Sequence, residues 1–140
     1  MTGIDTVKVS QGAKHQLIKL KRATGIQHWN VLCRWGFCLS LAESGTPPAS
    51  NFRLDSNVEM SWRVFGGRHA DLYLAILKER MCRDGLPINA RTISQQFRLH
   101  LHRGISYLAD GNKVSDIADL VRLTVDSGQQ PEPSRNALSQ

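Results

Sequence analysis

Lys8, Lys14, Lys19, Lys21 and Arg22 crowd one short stretch, and no Asp or Glu stands anywhere between residues 8 and 22. A merely solvated helix face usually mixes both signs, because Lys and carboxylate three or four residues apart stabilise a helix. A run of one sign instead suits a polyanion. Each Lys or Arg set on a phosphodiester displaces a condensed counterion, which gives affinity that is blind to base sequence and sensitive to salt. These five side chains are therefore the candidate phosphate-binding residues. Thr6, Lys8 and Ser10 allow a second use: as the outward face of a strand they are the residue types a β-ribbon brings to a DNA groove.

Other chemistry has little to work with. His15, His28, His69, His100 and His102 stand in no nucleophile, metal or phosphate-loop motif, and they read as surface histidines or as additions to the phosphate contacts rather than as ligands. His100 and His102 are two apart, which on a helix sends them to different faces. Cys33, Cys38 and Cys82 are odd in number and form no CxxC pair, so buried free thiols are expected rather than a disulfide or zinc site. The glycines of Phe65-Gly66-Gly67 read as a tight turn. Trp29, Trp35 and Trp62 could each stack on a base, but Trp35 within an apolar helix and Trp62 on the apolar side of a strand are expected in the core or a subunit interface. With no cluster of carboxylates suited to a divalent metal, no catalytic residue, cofactor or metal ligand is assigned, and the chain reads as a non-enzyme.

The elements that must position the cations follow from periodicity. Residues 5–10 alternate, with Val7 and Val9 on one face, as in a short strand. Ser10 can cap a helix whose Ala13, Leu17 and Leu20 share one side, and Gly25 can end it in the left-handed conformation. A second helix, from about Gln27 to Glu43, is apolar almost all round and needs burial on several sides. Residues 45–50, GTPPAS, interrupt. Val58 to Val64 alternate as a second strand, helices follow over about 69–83 and 89–109, and a short last one lies within 114–123.

The order strand, helix, turn, helix in the first 44 residues suggests a ribbon-helix-helix unit, in which two chains pair their strands. A lone strand without a partner beside a helix with apolar surface to spare would explain such pairing. The expected fold is mainly α, a compact helical domain with one or two short strands, a ribbon-helix-helix-like N-terminal half, and an oligomeric state. With 140 residues, a formal charge of +6 and a pI of about 9.7, the chain has room for one domain over residues 1–124, with a disordered tail over 125–140. No apolar run is long enough to span a bilayer and the start carries no export signal, so a cytoplasmic protein without membrane contact is expected.

Several segments together, VKVSQGAKHQLIKLKRATGIQHWNVLCRWGFCLSLAE, then PP, then DSNVEMSWRVFGG and DLYLAILKER, resemble the DndE family of bacterial DNA phosphorothioation systems over roughly residues 7–123. The resemblance implies a mostly helical tetramer that binds double-stranded, preferably nicked, DNA. It implies as partners the other Dnd proteins, which replace a non-bridging phosphate oxygen with sulfur. Mapped onto this chain, the family's DNA-contacting lysines fall on Lys14, Lys19 and Lys21 with Arg22 beside them, and Lys8 and Arg34 are secondary candidates. Gly36 stands where the family pattern is departed from. A transcription regulator reading an operator through Thr6, Lys8 and Ser10 is the alternative function, and a DNA-nicking enzyme the third.

Overall fold

The computed structural model describes residues 4–110, 114 and 116–128, with no account of the side chains of 124–128. In chain order the elements are β1 (Thr6–Lys8), α1 (Gln11–Thr24), α2 (Trp29–Ala42), β2 (Glu59–Ser61), α3 (Trp62–Gly66) with a 3-10 turn over Gly67–His69, α4 (Ala70–Arg83), α5 (Ala90–Ala109) and α6 (Ile117–Gly128). The architecture is mainly helical, as expected. The tail expected from residue 125 begins within α6, and residues 129–140 lie outside the described residues.

Two expectations are corrected. β1 pairs antiparallel with β2 of the same chain, in the register Thr6 with Ser61, Val7 with Met60 and Lys8 with Glu59. The strand therefore has its partner without a second chain, and that reason for a two-chain ribbon falls away. The second strand also ends sooner than its alternation implies. Ser61 turns the chain into α3, its hydroxyl accepting from the Val64 amide at 3.1 Å, and this cap outweighs the period-two pattern of Trp62 and Val64.

α1 forms where the pattern places it. Ser10 Oγ accepts from the Ala13 amide, Ala13, Leu17, Leu20 and Thr24 are buried, and Gly25 closes the helix at φ 77°, its amide bonded to Lys21 O. α5 begins with a reciprocal cap between Asn89 and Thr92 and buries Ile93, Phe97, Leu101, Ile105 and Leu108 along one stripe.

The core lies where α2 crosses α5. A Cβ on Gly104 would stand 1.6 Å from Gly36 O, and one on Gly36 would stand 2.9 Å from Ile105 N, so both positions must be glycine for the backbones to touch. Gly36 is thus explained by helix packing. Around this crossing Phe37, Trp62, Phe65, Tyr73 and Phe97 form an aromatic cluster of mostly edge-to-face contacts, with Trp62 stacked on Phe65 and the Phe37 and Phe97 rings tilted, their centroids 5.0 Å apart. Trp62 is buried as expected, though from the first turn of a helix rather than from a strand.

Candidate nucleic-acid interface

α1 buries one side against α5, and its cations take the remaining sides unequally. At 3.6 residues per turn, Lys14 and Lys21 lie within about 20° of each other, Arg22 about 100° further round, and Lys19 on the opposite flank. Lys21 and Arg22 come together with Ile18, Gln27 and Trp29 around a surface depression of about 400 Å³ that has no acidic lining residue. The Lys21 ammonium sits 4.0 Å from the centroid of the Trp29 ring. That contact holds a mobile cation beside an aromatic face. Arg22 is exposed, while Lys14 and Lys21 are half-buried.

The other candidates lie elsewhere. Lys19 Nζ donates to Ala109 O at 3.2 Å, the last carbonyl of α5, so this lysine closes a helix end. Lys8 pairs across the ribbon with Glu59 at 3.5 Å, and the Ser10 hydroxyl is spent capping α1. Arg34 stands on α2 and lines a separate depression with Val31, Trp35, Cys38 and Tyr73. The ribbon face of Thr6, Lys8 and Ser10 therefore offers no group free of a structural bond except Thr6.

The histidines and cysteines correct the reading of their exposure. His100 and His102 are buried rather than superficial. The Ser40 hydroxyl accepts from Arg103 Nε at 2.8 Å and shares a second hydrogen bond with His100 Nδ1, also 2.8 Å away. Burial, assisted by Arg103 and Arg80, pushes His100 down to about 4. His102 donates from Nδ1 to Arg98 O and accepts at Nε2 from the Ser10 amide, and burial lowers it too. Only Cys33 is buried, pushed up to about 12 by burial; Cys38 and Cys82 are exposed. The atoms packed around the Cys38 thiol desolvate it in part and raise it too, although the residue keeps an exposed edge, with Arg34 pulling partly back. Neither Cys33 nor Cys38 is thereby primed as a thiolate nucleophile. Among the described residues, no three His, Cys, Asp or Glu side chains are grouped to hold a metal.

Sequence reasoning missed the arginines at the end of α2. Arg80, almost fully buried, donates to Leu41 O, Ser44 O and Gly45 O and pairs with Asp84 at 3.1 Å. Arg103 donates to Ser40 O and Gly45 O. The absence of a glycine immediately after α2 was the available signal.

Fold and surface together define a small helix-rich protein whose crossed-helix core carries a two-stranded ribbon and an uncompensated cationic helix end. The family model for the DNA sulphur modification protein DndE matches residues 6–116, and the chain belongs to the DndE family. A crystal structure of DndE from Escherichia coli B7A, involved in DNA phosphorothioation modification, superposes with a TM-score of 0.62 at 22% identity, covering 74% of this chain and 95% of that one. A comparison with curated proteins gave no significant match.

Proposed function

We propose that the chain is a non-catalytic DNA-binding subunit of the phosphorothioation machinery, holding double-stranded, preferably nicked, DNA through its backbone at the C-terminal end of α1. The observation that carries this reading is the depression where Lys21, Arg22 and Trp29 meet without an acidic neighbour. The two cations supply phosphate contacts, and Trp29 offers an aromatic edge at the point where a nicked duplex can bend or open. No helix among the described residues is long and apolar enough to cross a membrane, which fits a cytoplasmic partner of DNA and of the other Dnd proteins.

Self-association belongs to the same reading. α4 leaves Leu72 and Ile76 exposed one turn apart at 54% and 38%, an apolar pair that a homotetramer would cover. The single domain over 1–124 would then repeat its α1 cations around the assembly, and Lys14 would extend the contact along the same flank. The operator-reading alternative loses support, because Lys8 and Ser10 are already bonded within the chain.

The test is salt-titrated binding to intact, nicked and random-sequence duplexes by the wild type and a Lys21→Ala/Arg22→Ala variant. The expected outcome is sequence-blind binding that favours the nick, with affinity in the variant down about ten-fold or more and a salt slope shallower by about two. A preference for one duplex by ~1,000-fold would establish the regulator instead. Unchanged binding by the variant would remove α1 from the interface.

A further inference from the structure

A second acid-free basic region lies on the other half of α5. No Asp or Glu occurs between residues 85 and 109, and none between 44 and 54. These two segments face each other across a cleft of about 590 Å³ lined by Ser50, Asn51 and Phe52 on one side and Ala90, Arg91, Ser94, Gln95 and Arg98 on the other. The nearest carboxylate along the loop, Asp55, does not line it; its Oδ1 accepts from the Gln11 amide at 3.3 Å.

The fold leaves this cleft open for a definite reason. Arg91, Arg98, His102 and Ala109 lie within about 40° of one another around α5. α1 covers the C-terminal part of that face, where the Ser10 amide meets His102 and Lys19 meets Ala109 O. Because α1 begins only at Gln11, beside His102, the N-terminal part stays uncovered, and both exposed arginines stand on it. Arg98 is held toward Arg91 by its bond to Ser94 Oγ at 3.0 Å. Neither arginine is in an ion pair with any described residue, unlike Arg80. Phe52 adds an aromatic wall, fixed in place by stacking on His102 at 3.9 Å and 11°.

Cations with an aromatic beside them, in a groove without carboxylates, form the arrangement that holds unpaired nucleic acid: phosphates meet guanidinium groups and a base stacks on the ring. We infer that this cleft binds an unpaired deoxynucleotide segment, its phosphates on Arg91 and Arg98 and a base against Phe52. Ser50, Asn51 and Gln95 offer hydrogen-bonding groups to the sugar and the base edge. The site is separate from the cations of α1: Arg91 precedes Ala109, where Lys19 docks, by about 27 Å along the α5 axis. The inference rests on the DNA-binding reading for its biological ligand, a strand end or opened stretch beside the duplex held by α1.

The experiment is fluorescence anisotropy with a labelled six-nucleotide dT oligomer, with dAMP and inorganic phosphate as competitors, and with a blunt duplex measured in parallel. Arg91→Ala/Arg98→Ala is expected to weaken oligomer binding at least ten-fold. Phe52→Leu is expected to weaken it at least five-fold while leaving competition by inorganic phosphate unchanged. Lys21→Ala/Arg22→Ala is expected to leave oligomer binding within two-fold of wild type. Both arginines are on the surface, so the double variant tests the site even if Phe52→Leu disturbs folding. Oligomer binding that survives loss of both arginines overturns the inference, as does equal loss in the α1 variant. Binding of dAMP without binding of the oligomer overturns the assignment to a strand in favour of a free nucleotide. A wild type that binds the oligomer through Arg91 and Arg98 but ignores duplex would overturn the α1 reading and leave this one standing.

Discussion

The C-terminal ends of α1 and α2 pose the same problem and solve it differently. Each helix leaves its last carbonyls without intrahelical donors. At α1, Gly25 takes φ 77° and its own amide returns to Lys21 O, so the side chains of Lys21 and Arg22 are spared for the surface. At α2 no glycine follows at once; Glu43 is extended, and Arg80 and Arg103 reach in from α4 and α5 to satisfy the carbonyls of Ser40, Leu41, Ser44 and Gly45. Basic residues count alike in the formal charge of +6, yet one group is structural and the other is available to a partner. What decides between them is how the nearest helix end is closed. α5 follows the second pattern, and it takes Lys19 out of the candidate interface.

The most severe way to break this contrast is Arg80→Ala. It strands several carbonyls and leaves the mostly buried Asp84 without its counter-charge, and breaking one side of a buried pair costs about 3–5 kcal/mol. Urea unfolding should show a loss of that size, with duplex affinity per folded molecule unchanged. A loss below ~1 kcal/mol would mean that water replaces the guanidinium at no great expense, and the distinction between the two helix ends would fail.

Acid should weaken the α2 end selectively. His100, packed between Ser40 and the two arginines, titrates at about 4, below the ordinary 6.5. Its neutral form is the one that the fold favours, so its contribution is complete above pH 6.5 and is lost as the pH falls from there toward 4. His102, shifted in the same direction, adds to the same slope. The loss should be on the order of 1–3 kcal/mol across that window in urea midpoints. His100→Asn should flatten most of the slope, and a variant as acid-sensitive as wild type would place the effect elsewhere.

Much of this arrangement was legible beforehand, for reasons that the same residues explain. Ser10, Gly25 and the spacing of Ala13, Leu17 and Leu20 act locally, so α1 could be placed from its own residues, and the lack of acids around Lys21 and Arg22 is a property of the chain itself. Long-range partners left no local trace. The pairing of β1 with β2 joins residues some fifty positions apart, and nothing near Lys8 announces Glu59. The fate of Lys19, Arg80 and Arg103 depends on carbonyls brought close by helix crossing. The two histidines read as superficial because their spacing was weighed without knowing that α1 and α2 cover different sides of α5. The cleft at Arg91 and Arg98 was missed because only the charge run near the N-terminus was weighed.

The gentlest test acts on the cap of α1. Gly25→Ala keeps every cation and changes only the residue that must hold a positive φ, where a Cβ meets no atom within 4 Å but the left-handed backbone itself disfavours an L side chain. The cost should be about 1 kcal/mol in unfolding free energy. If the last turn frays instead of bearing that strain, the carbonyl of Lys21 loses its backbone donor, and the adjacent Lys21 and Arg22 become the nearest groups able to satisfy it. Duplex affinity would then fall by more than the stability change alone accounts for, because cations drawn onto a helix end are no longer free for phosphate. A variant that loses stability and keeps full affinity would show that the side chains are presented independently of the cap, and that the difference between the two helix ends is one of stability alone.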